Sequence, residues 1–407
     1  MSCRACKSDD VNLLHTFGPL PIAHYYKHGP NDELEKNRLT LSLAYCRSCQ
    51  LVQLVAPHDP TKHKPIFSWI TQNEPETHLD RTVDSLLSQE GIKTNSVFWG
   101  ISYKDKSILE RIRTKGHPNI RLLDPRVDFL IEDKCANIET LQSCITPRRI
   151  QHLIDRYGSP DVVICRHVLE HSYDTRAFLK SISLFAAAGA YIAIEVPDTS
   201  KAFSRFDYTT VWEEHTLYFT PISLKNSIKN YDMQVIMQDT AEFSDEDCLT
   251  MIAKLAVDGD SDAKTQDNRV SGPCPVSKFC RSFPDKQLEV KAAFSAIRKN
   301  GSSIAVYGSG HVANTFINLF QLEPYINFVV DDDPDKIGLW MPGSKLPIVS
   351  PINLIHQNID FCFMAVRFES TEIIKRKIPN FFEQGGVMIP ICPTESNNIF
   401  SLLNSIT

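Results

Sequence analysis

The 407-residue chain is missing several things, and each absence narrows its function. It has no block of lysine or arginine, and its formal net charge is -6. Nucleic-acid binding relies on a positive surface set against phosphates, so no nucleic-acid partner is expected. No apolar run approaches the roughly 18 residues of a membrane span, so no membrane partner is expected either. The opening residues, MSCRACKSDD, are polar and carry cysteines where a secretory signal would carry an apolar core. That argues for a cytoplasmic protein. Disulfides are then disfavoured, and the twelve cysteines read as free thiols or metal ligands.

What is present is ordinary for a soluble globular protein: 42% hydrophobic and 23% charged residues. The length is too great for one core, so two or three domains are expected. From Val97 onward, strand-like and helix-like stretches alternate. SVFW, NIRLLD, DVVIC and AYIAIEVP read as strands, while DKSILERIRTKG, PRRIQHLIDRYG and TRAFLKSISLFAAAG read as helices. TPISLKNSIKN begins another helix, and MQVIMQD with CLTMIAKLAV reads as a closing antiparallel pair. A polar stretch from Asp258 to about Pro275 reads as a loop. A second α/β unit follows, with helices at DKQLEVKAAFSAIRKNG, at HVANTFINLF and near residues 369–382, and strands at SIAVY, INFVV, FCFMAV and GVMIPI. The expected fold class is α/β: a small N-terminal zinc-binding domain (1–75), a central Rossmann-like domain (76–257), a linker (258–283) and a second Rossmann-like domain (284–407).

Four stretches carry candidate chemistry. Cys3 and Cys6, then Cys46 and Cys49, form two Cys-x-x-Cys pairs. Two such knuckles suit a closed four-thiolate zinc site, which is structural; the alternative is four unrelated buried cysteines. Gly308-x-Gly310-x-x-Ala313 lies between a strand and a helix, with Asp331 after the next strand. This is dinucleotide-binding spacing, and also that of a tight turn with no ligand. Glu170 and His171 follow the strand DVVIC, where sheet-end ligands bind in doubly wound folds or where a helix simply starts. Glu214, His215 and Tyr218 bring a carboxylate, an imidazole and a phenol into five residues. Such a trio can move protons near neutral pH, although a loop with aromatics plugging the core has the same composition.

In their order along the chain, CRSCQLVQL, DVVICRHVLEHSYDTRAFL, YIAIEVPD, EEHTLYFTPISL and VYGSGHVANTFINLF…FVVDDDPDKIGLWMPGSKLPIVSP resemble the zinc-containing sugar C-methyltransferases. These are S-adenosylmethionine enzymes that methylate a keto-deoxysugar carried on a nucleotide. The resemblance spans nearly the whole chain. It implies His215 as the base that forms an enolate, Glu214 as its orienting partner, and Tyr218 as a pocket residue. It implies cofactor contacts from Gly100, Ser102, Asp124, Arg166, His167 and Glu170. It implies nucleotide-sugar contacts from Gly308, Gly310, His311, Asn314, Asp331 and Lys336, and zinc on Cys3, Cys6, Cys46 and Cys49. A monomer or small homo-oligomer is expected.

The chain departs from that family in its first strand–turn–helix, VFWGISYKDKSIL. Family members carry a Glu-x-Gly-x-Asn-x-Gly-like loop there. Here Trp99 replaces the acid, Gly100 is the one glycine, and Lys104 adds a positive charge. Trp212 stands where a tyrosine is frequent, and HKPIFSWITQ, with Phe67 and Trp69, lacks the family's lid tyrosines. Three readings follow: a C-methyltransferase with an unusual cofactor loop, a protein that keeps only proton transfer on the keto-sugar nucleotide, or a non-catalytic partner subunit.

Overall fold

The computed structural model describes residues 1–31, 38–57, 65–67, 74–244, 246–256, 274 and 276–392; Trp69 of the lid stretch and most of the expected linker lie outside them. The chain divides into two compact units that interleave along the sequence. One comprises residues 1–13, 43–200 and 214–274, and the other residues 14–42, 201–213 and 275–407. Strands β1 (Val11–Pro21) and β2 (Arg38–Cys46) carry the chain out of the first unit and back, and helix α6 (Ser200–Arg205) opens the second excursion.

The first unit is built on β4 (Phe98–Gly100), β5 (Ile120–Leu122), β6 (Val162–Arg166), β7 (Tyr191–Asp198), β9 (Met233–Ala241) and β10 (Asp247–Leu255). They lie in the order β5-β4-β6-β7-β10-β9. The first four are parallel, and β10 runs antiparallel to both β7 and β9. The central strands are continuously apolar because helices cover both faces. Phe98, Val162 and Ile164 pack on α1 (Leu79–Leu87) and α2 (Lys106–Thr114). Trp99, Val163 and Cys165 lie in the other face's core, with α3 (Ile138–Cys144), α4 (Pro147–Tyr157), α5 (Thr175–Phe185) and α7 (Pro221–Ile228). The chain leaves β4 to one side and returns at β6 on the other. The loops after these two strands therefore flank the switch point, where doubly wound sheets bind ligands. A short sheet joins β3 (Val52–Leu54) to the end of β2 and to β8 (Leu217–Tyr218).

The second unit holds five parallel strands in the order β13-β12-β11-β14-β15. They are β11 (Ile304–Tyr307), β12 (Phe328–Val330), β13 (Ile348–Val349), β14 (Phe361–Met364) and β15 (Val387–Pro390). Phe294 of α8 (Ser277–Lys299) and Phe316 of α9 (His311–Leu319) pack around Phe363, with Phe294 stacked on it at 4.5 Å. Leu354 of α10 (Asn353–His356), Ile374 of α11 (Thr371–Lys377) and Phe381 of α12 (Pro379–Glu383) share a core with alternate strand residues Ala305, Tyr307, Cys362 and Met364. Both units are Rossmann-like, as expected.

Some elements differ from their sequence reading. Helix α8 begins at Ser277 and runs through Pro284, rather than starting at Asp285. Phe279, Cys280 and Phe283 are buried along that added stretch, and their packing outweighs the roughly 3 kcal/mol cost of an internal proline. The helix read near 369–382 is two helices, broken at Ile378 (φ −130°, ψ 56°). Pro379 bars its predecessor from helical geometry. Helix α3 was not read at all, and it supplies a site residue.

Candidate active site

The loop after β4 is closed by its own side chains. Gly100 lacks a Cβ because the space is taken: a Cβ would come within 2.7 Å of Asp105 Cβ and 2.9 Å of Leu109 Cδ1. Asp105 Oδ2 accepts from the backbone N–H of Ile101 (2.7 Å) and Ser102 (2.9 Å), and Oδ1 accepts from that of Arg166 (3.0 Å). Ser102 Oγ in turn accepts from Lys104 N. Burial pushes the Asp105 carboxyl up to about 7 against these hydrogen bonds and Arg166. Lys104 is buried and ion-paired with Glu74. Burial works to discharge it, but Glu74 holds its pKa above the ordinary lysine value. Trp99 lies edge-on to Tyr157 and Phe185 at 5.9 and 5.6 Å. Asp124, exposed after β5, caps its own turn by accepting from Arg126 N and Val127 N at 2.7 and 2.8 Å.

The loop after β6 meets a buried carboxylate from β7. Glu195 Oε1 accepts from Arg166 Nε (2.9 Å) and contacts His167 Nε2 (3.1 Å). Its Oε2 contacts His78 Nε2 (2.8 Å) and accepts from Thr250 Oγ1 (3.0 Å). Burial favours the neutral acid, yet His167, His78 and Arg166 together hold Glu195 well below the usual carboxylate range. His167, in the left-handed region at φ 50°, turns its other nitrogen to Glu170 Oε1 at 3.3 Å. Burial works against its charge, but Glu74 and its hydrogen-bond partners raise its pKa well above the ordinary value. Beyond that ion contact, both oxygens of Glu170 are buried without a hydrogen-bond partner among the described residues, as is Arg166 Nη2.

The two Glu-His segments come together. Glu170 and His171 lie in a 3-10 turn, and His171 meets His215 edge-on with ring centroids 4.8 Å apart. The ligating atoms of Glu170, His171 and His215 lie within 4.8 Å of one another, as do those of Glu139, His171 and Glu214. His171 Nδ1 is hydrogen-bonded to Glu139, the residue that α3 supplies. Burial opposes a charge on His171, and Glu139 overcomes it, so the imidazole pKa is raised. Tyr218 sits in β8 opposite Val52, fully buried. The structure therefore places Glu214 beside His171 and Glu139, and His215 beside His171 and Glu170. Glu139, His78, Glu195 and Asp105 join the site without having been singled out in the sequence. Glu195 was visible only as the acid inside an otherwise apolar strand.

The four N-terminal cysteines form one cluster. Cys3 Sγ lies 3.5 Å from Cys49 Sγ, and Cys6 Sγ lies 3.6 Å from Cys46 Sγ. A tetrahedral zinc with bonds of about 2.3 Å would space its sulfurs by about 3.8 Å, so the donor set fits. Hydrogen bonds among the four sulfurs lower the Cys46 thiol pKa and raise those of Cys3 and Cys49, whereas a bound metal would hold all four as thiolates.

In the second unit the turn after β11 is also internally satisfied. Gly308 has φ 90°, and a Cβ there would lie 2.6 Å from Val366 Cγ1. Gly310 carries no such crowding. Asp331 Oδ2 accepts from Ser309 N (2.8 Å) and Oγ (2.6 Å) and pairs with Lys336 at 3.3 Å. Burial is outweighed by Lys336 and these bonds, and the carboxyl pKa is lowered. Asn314 Oδ1 accepts from Asn318, and His311 stacks on Trp212 at 4.3 Å.

S-adenosylmethionine, which the resemblance implies, is a zwitterion at one end. Arg166 Nη2 and the Glu170 carboxylate, of opposite sign on one loop, fit its carboxylate and its cationic end. The amides of Ile101 and Ser102 do not serve it, because Asp105 takes them.

Two family models match the chain: a methyltransferase domain over residues 102–238 and a C-methyltransferase C-terminal domain over residues 263–393. The C-methyltransferase NovU of Streptomyces niveus is 22% identical over 400 residues, spanning 96% of this chain and 95% of that protein. Among solved structures, the 1,6-didemethyltoxoflavin-N1-methyltransferase of Burkholderia thailandensis matches 45% of this chain and 80% of its own, at 12% identity and a TM-score of 0.29. N-methyltransferase NodS from Bradyrhizobium japonicum WM9 matches 45% and 97%, at 11% identity and a TM-score of 0.27.

Proposed function

The chain is an enzyme of the C-methyltransferase family, and from that premise we propose that it methylates a carbon of a nucleotide-linked keto-deoxysugar, with S-adenosylmethionine as the donor. The observation that carries this reading is the buried meeting of Glu170-His171 with Glu214-His215. A ketone acidifies the C–H beside it. His215 takes that proton and an enolate forms. Glu139 hydrogen-bonds His171 and favours its imidazolium, which sets a positive charge beside His215. The same imidazolium steadies the negative charge that develops on the enolate oxygen. Glu214 lies beside His171 and completes the buried charge pattern. S-adenosylmethionine, when bound, supplies an electrophilic methyl on a sulfonium, and Arg166 and Glu170 are the residues that would hold its amino-acid end. The nucleotide is assigned to the Gly308–Asn314 turn, with His311 and Lys336 as polar contacts, on the strand–turn–helix pattern there. Cys3, Cys6, Cys46 and Cys49 hold one structural zinc ion.

A second reading has one observation in its favour. Asp105 closes the loop after β4, and Lys104 brings a buried cation to it. If these displace the donor, proton transfer alone remains, and the protein epimerises or isomerises the same sugar. Calorimetric titration with S-adenosylmethionine separates the readings, since the second gives no heat. His215 is tested by deuterium exchange from heavy water into a panel of nucleotide-linked keto-deoxysugars. His215→Asn lowers the exchange rate by about 100-fold or more; an undiminished rate removes it from the role.

A further inference from the structure

We propose that Arg4, inside the first cysteine knuckle, is a positioning residue that sets the register of the two Glu-His segments. The proposal rests on the reading of those segments as the proton-transfer site. Arg4 Nη2 donates to Ser172 O at 3.0 Å and to Tyr173 O, and Nη1 donates to Thr216 O at 3.4 Å. Ser172 directly follows His171, and Thr216 directly follows His215. One guanidinium thus reaches the backbone beside both histidines.

The rest of the joint is built around the same atoms. Thr216 N donates to Glu170 O at 2.9 Å, and Thr216 Oγ1 donates to Ser172 O at 2.9 Å. Leu54 N donates to Thr216 O at 3.0 Å, which ties the joint to β3. Arg4 N donates to Gln53 Oε1 at 2.9 Å, and Gln53 is in register with Leu217. The knuckle that carries Arg4 is itself pinned, with Lys7 N bonded to Cys3 O and Cys3 N bonded to Ser8 O. A planar fork of donors suits three carbonyls on two segments, whereas a lysine ammonium on its flexible stem serves fewer at once. The cysteine cluster therefore does more than staple a terminus: it anchors the side chain that fixes how His171 meets His215. Small displacements of reacting groups cost about 100-fold in rate.

The test uses the full-length chain with zinc content measured for each variant. Arg4→Ala should retain its metal and lose about 100-fold in kcat for deuterium exchange into the active sugar nucleotide, with little change in KM. Its pH profile should shift, because the paired histidines no longer face each other as before. Amide hydrogen exchange at Leu54 and Thr216 should rise about tenfold or more, with β14 unchanged. Arg4→Lys should recover part of each effect. A metal-loaded Arg4→Ala with wild-type kcat, pH profile and amide protection overturns the proposal. So does a loss of rate with an unshifted pH profile and unchanged protection at these amides, which marks a generic loss of folded protein. Should Arg4→Ala fail to fold, Thr216→Val tests the same joint. A wild-type kcat and pH profile there overturn the proposal, and a shifted profile supports it. If the wild type exchanges no deuterium into any sugar nucleotide, the functional reading fails, while the amide protection still decides whether Arg4 holds the joint.

Discussion

At Trp99 the family's acid is replaced by a core residue. Its indole is buried edge-on against Tyr157 and Phe185, so it fills core space there. Asp105 is the residue that acts on the loop. Its carboxyl titrates near 7 in the folded chain, well above its ordinary 3.8. The unfolded chain therefore releases this proton at lower pH than the folded one. Stability falls as pH rises from about 4 to about 7, by up to about 4 kcal/mol from this group. Asp105→Asn should flatten that slope, which urea midpoints at pH 4.5, 6 and 8 would reveal. A slope identical to wild type would show that Asp105 ionises freely. His78, Glu139 and Glu195 were not legible as site residues, because each earns its place from a partner distant in the chain. Glu139 and His171 are 32 residues apart, and His78 and Glu195 are 117 apart.

At the scale of elements, both strand–turn–helix turns carry a glycine where a side chain would clash, and Gly308 also takes a left-handed backbone at φ 90°. Gly100 is crowded by Asp105 and Leu109, and Gly308 by Val366 and Ala365. Gly100→Ala should cost about 1–3 kcal/mol by overpacking, read from the urea midpoint. Gly310→Ala, at φ −73° with nothing within 4 Å of the new methyl, should stay within about 0.5 kcal/mol. Equal losses would place a tight ligand-free contact at Gly310 as well. Periodicity revealed the long helices and buried strands because those patterns are local. It did not reveal α3, which is short, or the passage of α8 through Pro284, where tertiary packing overrides the local rule.

For the whole molecule, the sequence pattern gave away two α/β sheets and a cysteine cluster. It did not give away the interleaving, in which residues 14–42 and 201–213 belong with the C-terminal half. Such excursions depend on contacts between segments, and no local pattern records them. The cysteine cluster should bind one zinc per chain, lost in Cys46→Ser along with protection of the Arg4 joint. Metal analysis of the purified chain checks this, and a metal-free native protein would contradict it. The most direct test of the central claim is transfer of a trideuterated methyl from labelled S-adenosylmethionine to a nucleotide-linked keto-deoxysugar, followed by mass spectrometry. The account predicts a product heavier by one trideuteromethyl on carbon, abolished in His215→Asn. Solvent deuterium entering the sugar with no methyl gained would contradict methyl transfer and leave proton transfer as the reaction.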